Sequence, residues 1–217
     1  MIKKIISSLW NFLFPISCVE CAQHGSPLCT RCLSKISLSI NQIDENIYSV
    51  FDYKHPIIKK ALWELKFKNN KSLSQPLATA LYDKMLEEIQ DLETFNNFTN
   101  PLLVPIPLSK RREKLRGYNQ SELLCKELAI IDSVSFELCI DVLRKPTDTK
   151  QQTKTLTKAE RKNNLQGCFT VKNIEKIKGR NIILIDDIVT TGATIFETKK
   201  VLKKAGAKKI IAFTVAH

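Results

Sequence analysis

The 217-residue chain reads as an α/β protein: a parallel sheet flanked by helices, preceded by a small four-cysteine domain. Three observations predict this. Apolar, β-branched runs of strand length alternate with segments of helical period, the order that builds parallel strands joined by crossover helices. One run, Ile182-Ile183-Leu184-Ile185, is apolar throughout, as a strand covered on both faces must be. Four of the seven cysteines fall into two C-x2-C pairs, Cys18/Cys21 and Cys29/Cys32. The expected division is 1–37 for an amphipathic helix and a zinc-finger domain, and 38–217 for the α/β domain.

Met1 to Phe14 opens with Lys3 and Lys4 and then carries apolar residues, as a secretory leader would. Its apolar positions 2, 5, 6, 9, 10 and 13 nevertheless follow helical spacing, with Ser7, Ser8 and Asn11 between them. A leader core is apolar all round, so this segment predicts a short amphipathic helix stopped by Pro15. No run approaches the roughly 18 apolar residues of a membrane span.

Each C-x2-C pair presents two thiolates from one tight turn, and two such pairs make a tetrahedral zinc site. The seven-residue gap between them is short, but Gly25 and Pro27 allow a tight turn. His24 is an alternative ligand, and two disulfides in a secreted mini-domain are an alternative chemistry. The leader such a domain needs is missing, and Cys125, Cys139 and Cys168 would be left over. Those three lie among apolar residues and read as core thiols. Four protein ligands leave no open position, which makes the zinc structural.

The α/β domain then unrolls in order. Tyr48–Tyr53 reads as an edge strand. Ile57–Lys66 and Leu77–Ile89 read as helices, the first broken near Asn69-Asn70, and polar Gln90–Asn100 as a loop. Leu102–Leu108 is a strand whose Pro105 and Pro107 belong at its carboxyl end, where no ladder donor is needed. Ser121–Ile131 is helical, Phe136–Leu143 a strand, Ile182–Asp186 a buried strand, Thr194–Ala205 a helix and Ile210–Val215 a final strand.

Chemistry concentrates after Ile185. Asp186 and Asp187 stand at the carboxyl end of the buried strand, where open α/β sheets bind ligands. Thr190-Thr191-Gly192-Ala193-Thr194 then turns into a helix, offering backbone N–H groups, hydroxyls and a positive dipole end to one phosphate. Two carboxylates beside it suit the vicinal hydroxyls of a ribose. A structural turn gives little reason to pair two mutually repelling acids. The ligand drawn by these groups is a ribose 5-phosphate. Basic residues follow other strand ends: Lys110 to Arg116, Arg144-Lys145, and Thr149 to Asn164 with Lys150, Lys154, Lys158, Arg161 and Lys162. Each run alone is a solvated face. Together they offer Lys110, Arg144 and Lys145 to a pyrophosphate.

The string from Leu184 to Thr194 is similar, position by position, to the phosphoribosyl-pyrophosphate (PRPP) signature of type I phosphoribosyltransferases. The double knuckle, the Val104-Pro105-Ile106-Pro107-Leu108 strand, Arg116-Gly117-Tyr118-Asn119-Gln120, and Thr149-x-x-Gln152 with Leu156-Thr157-Lys158-Ala159-Glu160-Arg161 follow the order of the ComF family. The resemblance covers nearly the whole chain. It departs where Thr153-Lys154-Thr155 stands in place of a commonly found Gly. It implies a zinc finger joined to a type I phosphoribosyltransferase domain. PRPP with Mg2+ would bind at Asp186, Asp187 and Thr190 to Thr194, and the setting would be cytoplasmic DNA uptake during natural transformation, with single-stranded DNA and a competence helicase as partners. Three classes stay open: a PRPP-binding competence protein, an active phosphoribosyltransferase on an unidentified base or amine, and a DNA-binding assembly factor.

The charge bears on the last of these. Thirty-four basic against 22 acidic residues give +12, which favours polyanionic partners. Single-stranded DNA is expected along Lys110–Arg116 and Lys150–Lys162, with Tyr118 and Phe169 as stacking rings if exposed.

Overall fold

The computed structural model describes residues 16–39, 43–146 and 167–217. The expected helix before Pro15 and the basic segment 149–164 lie outside them. Within the described residues, β1 (Ile47–Phe51), β2 (Leu102–Pro105), β3 (Glu137–Leu138), β6 (Ile182–Ile188) and β7 (Ile210–Ala216) form one sheet in the order β1-β7-β6-β2-β3. Every pairing in it is parallel. The strand carrying the two aspartates is therefore central, with β2 and β7 on its flanks. Strands buried on both faces must be apolar throughout, which is why Ile182–Ile185 looked as it did.

Helices cover both faces. The first helix after β1 is α2 (Pro56–Phe67), followed by a short 3-10 turn (Lys71–Leu73) and α3 (Ser74–Asn96). Leu62, Leu65, Leu77 and Leu81 from these helices share a buried cluster with Ile183 and Ile185 of β6 and with Leu124 of α5 (Gln120–Ile131). On the opposite face, Ile182 and Leu184 pack with Ile195 and Leu202 of α7 (Ala193–Lys204). The alternation of odd and even residues along β6 assigns each face its own core. Two short helices complete the frame at α4 (Lys110–Arg116) and α6 (Ile174–Ile177).

The amino-terminal region packs on the first of these cores. Cys18, Leu28, Cys32 and Ile36 belong to the same cluster as Val50 and Phe51. The only helix there is the single turn α1 (Thr30–Leu33), among the described residues. A backbone bond from the Asp52 N–H to the Ser37 carbonyl fastens its end to the sheet edge.

Two expectations need correction. Gln90–Asn100 is not a loop: α3 continues to Asn96. The apolar stripe Leu81, Met85, Ile89 persists into half-buried Leu92, and Asn97 closes the helix in the left-handed region at φ 50°. Polar residues on the outer face had masked an inner face that keeps its period. Phe136–Leu143 is not one strand either. It pairs with β2 only at Glu137 and Leu138, then leaves the sheet. The Asp141 carboxylate accepts from Asn173 (2.9 Å) and Lys176 (2.7 Å), holding the chain out. Leu143–Arg144 (β4) instead pairs antiparallel with Thr170–Val171 (β5).

Candidate functional site

Strand β6 carries its ladder through the aspartates: Asp186 pairs with Thr214 and Ile188 with Ala216. The strand thus ends two residues later than the sequence pattern indicated, and both carboxylates are held on ordered extended backbone. Asp186 Oδ1 accepts from the Asp187 backbone N–H at 2.9 Å and from Ser121 Oγ at 3.0 Å, the latter from the first turn of α5. Asp187 is buried and forms an ion pair with Lys66 Nζ at 3.0 Å. Arg116, at the end of α4, is half-buried. Burial lowers its guanidinium from the usual range, and the nearby charges of Asp187 and Asp186 act the other way.

Burial, reinforced by the adjacent Asp187 charge, pushes Asp186 up to about 7. Its ordinary value is 3.8. Between those values the folded chain keeps a proton that the unfolded chain has released, so stability falls as pH rises through that window. Melting temperature measured from acid to neutral pH should therefore decline more steeply in wild type than in Asp186→Asn. Parallel curves would remove the perturbed carboxyl from the account.

The hydroxyl turn follows directly. Thr190 is exposed, Thr191 and Thr194 half-buried, and Gly192 begins α7 at φ +74°. Thr191 Oγ1 accepts from the Ala193 N–H at 3.5 Å. A Cβ at residue 192 would lie 2.6 Å from the Phe196 ring and 3.2 Å from Ile43, as well as in a left-handed backbone. Gly192→Ala should cost about 1–2 kcal/mol from the backbone alone, read as a lowered melting temperature. An unchanged melt would show the turn to be adaptable.

Three predicted basic residues come together. Lys110, Arg144 and Lys145 line one cleft of about 410 Å³, with Lys172, Glu113, Glu122, Asn119 and Pro105. Lys145 is buried, its ammonium 5.1 Å above the Phe169 ring. Residues 186–194 do not line this cleft. Pro105, which lines it, pairs in register with Ile185, one residue before Asp186. Tyr118 and Phe169, by contrast, are corrected as stacking rings. Tyr118 is 9% exposed, with its hydroxyl donating to the Leu65 carbonyl, and Phe169 is 2% exposed. Both are core side chains whose faces are already used.

Lys66 and Ser121 were missed by sequence reasoning. Lys66 stands four residues beyond Leu62, in register with the buried stripe of α2, and a lysine at that register was the available signal. Ser121 offered none: it is one polar residue at a helix start until the sheet brings β6 against it.

At the amino terminus, the Sγ atoms of Cys18, Cys21, Cys29 and Cys32 all lie within 4.8 Å of one another. Cys21 and Cys29 are 3.7 Å apart. Bonds of about 2.3 Å to a tetrahedral zinc set sulfurs roughly 3.8 Å apart, so the four fit a metal of that kind. None is in a disulfide. The Gln23 backbone N–H, opposed by burial and aided by Arg31, holds Cys21 down to about 6, while burial and the neighbouring sulfurs push Cys32 up to about 12. His24 is exposed, and its ring nitrogen Nδ1 lies 3.0 Å from Ser17 Oγ rather than in the cluster.

Comparison with known proteins fits this picture. Residues 119–217 match the phosphoribosyl transferase domain model. Competence protein ComFC of Bacillus subtilis is 32% identical over 177 residues, 71% of this chain and 69% of that protein. The chain belongs to the ComF family. DNA utilization protein YhgH of Salmonella typhimurium is 30% identical over 197 residues, covering 89% of this chain and 80% of its own length. Competence protein F of Haemophilus influenzae is 29% identical over 155 residues. The ComF assignment, the parallel phosphoribosyltransferase sheet and the four-cysteine cluster agree with the sequence reading. No helix among the described residues is long and apolar enough to cross a membrane.

Proposed function

We propose that this chain binds PRPP with Mg2+ at Asp186–Thr194 and works in the cytoplasm in DNA uptake during natural transformation. One observation carries the ligand: two carboxylates on the central strand stand beside a hydroxyl-rich turn at the start of the twelve-residue helix α7. The turn offers N–H groups and a dipole end to the 5-phosphate. Asp186 and Asp187 accept from the ribose hydroxyls, and Lys66 leaves Asp187 to the incoming hydroxyl. Lys110, Arg144 and Lys145 take the pyrophosphate across the register step from Pro105. Asp186 and Asp187 would hold Mg2+ arriving with the ligand, and the ion would supply neutralising charge to the pyrophosphate. The biological setting rests on relatives named for competence and DNA utilization. Zinc in the four-cysteine cluster would tie together the turns of residues 16–37, the described part of the expected amino-terminal unit.

Binding alone and transfer to a base or amine remain two chemical outcomes of one site. Transfer would break the bond from the anomeric carbon to pyrophosphate and form one to the acceptor nucleophile, through an oxocarbenium-like state. Calorimetric titration with PRPP and Mg2+, beside pyrophosphate release across bases and amines, separates them. Saturable heat without release marks a binding module; release with one acceptor marks an enzyme. No heat at all refutes the reading.

A further inference from the structure

The two rings expected to stack on bases are buried, yet the chain does expose aromatic surface. Trp63 is 49% and Phe67 55% exposed, one turn apart on the outer face of α2. Their ring centroids are 6.3 Å apart at 48°. A solvated helix face has no use for two adjacent large rings. Each is also flanked by a cation: Lys68 Nζ lies 5.3 Å from the Trp63 ring centre, and the Arg116 guanidinium 5.1 Å from that of Phe67.

The surroundings are basic. Lys59 and Lys60 are exposed on the same helix, and Arg116 closes α4, whose sequence is Lys-Arg-Arg-Glu-Lys-Leu-Arg. The single carboxylate on α2, Glu64, accepts from the Asn70 amide at 2.9 Å. Glu20 forms a long ion pair with Lys60 at 3.9 Å, with both side chains a little under half exposed, a contact that a phosphate would have to displace. Each cation lies over its ring, and the rings still keep about half of their surface in solvent. Unpaired bases have π-faces and a phosphate backbone, the two chemistries this stripe offers together. A paired duplex offers only the phosphates to such a surface.

We propose that Trp63 and Phe67 form a stacking platform for single-stranded polynucleotide, with its phosphates on Lys60, Lys68 and Arg116. The choice of partner rests on the DNA-uptake reading; the position of the surface rests on the two rings and their cations. The platform runs from Lys60 toward Arg116 and so approaches the carboxylate pair, whose Asp187 is held by Lys66 of the same helix. It replaces Tyr118 and Phe169 in that role and draws on α4 through Arg116 alone.

The chain has two tryptophans, so Trp10→Phe leaves Trp63 as the sole indole reporter. Oligothymidylate should quench its emission. In anisotropy titrations at fixed salt, Trp63→Ala with Phe67→Ala should lose affinity by about tenfold or more, while PRPP heat and melting temperature stay unchanged. Duplex of equal length should bind more weakly and ignore the double substitution. Equal affinity of the folded double variant and wild type for oligothymidylate overturns the platform. So does binding in which single strand and duplex compete equally and respond only to salt. Loss of PRPP binding with quenching retained would defeat the PRPP reading and leave the platform standing.

Discussion

Replacing both Asp186 and Asp187 by Asn is expected to abolish PRPP binding at ordinary concentrations. Each carboxylate accepts charge-assisted hydrogen bonds worth about 1.5–3 kcal/mol. Losing two weakens affinity on the order of a hundredfold or more. The substitution also leaves Lys66 without its partner at 3.0 Å, in a position where its side chain is only 16% exposed. An unpaired, largely buried ammonium destabilises a fold, so the variant should be compared with one that also carries Lys66→Met. Both should melt cooperatively, and both should fail to take up PRPP. A folded double variant with wild-type affinity would remove the carboxylates from the site.

The second large effect lies at the other end of the chain. Purified protein should contain about one zinc, and Cys18→Ser with Cys21→Ser should lose it. Apparent binding energies of structural zinc are about 10–16 kcal/mol and are available only to the folded site. Without the metal, residues 16–37 should lose their fold. Cys18, Leu28, Cys32 and Ile36 share a core with Val50 and Phe51, so the α/β domain should survive with a lower melting temperature. Elemental analysis and hydrogen exchange read the two parts separately. Zinc retained stoichiometrically in the variant would contradict the ligand set.

Much of this is legible in the amino-acid sequence alone. The buried strand Ile182–Ile185, the aspartates after it and the hydroxyl turn into α7 are contiguous, and local chemistry determines them. The four cysteines were equally legible, because two tight turns each declare half a site. What the sequence concealed is what the sheet order creates. Lys66 reaches Asp187, and Ser121 reaches Asp186, across 121 and 65 positions of chain. Tyr118 sits in a basic, polar stretch and reads as exposed until Leu65 presents its carbonyl to the hydroxyl. The outer face of α3 hid a continuing inner stripe, and β3 ended early because Asp141 found Asn173 and Lys176 from far along the chain. Period and motif speak for contacts within a few residues; long-range partners need the topology.

The central claim is that the Asp186–Thr194 loop holds the ribose 5-phosphate of PRPP. A crystal structure of the full chain grown with PRPP and Mg2+ tests it most directly. In that crystal the ribose hydroxyls should sit on Asp186 and Asp187, the 5-phosphate within hydrogen-bond reach of the backbone from Thr190 to Thr194, and the Lys66–Asp187 ion pair should be open. PRPP bound elsewhere on the chain, with that ion pair intact and the turn empty, would contradict it.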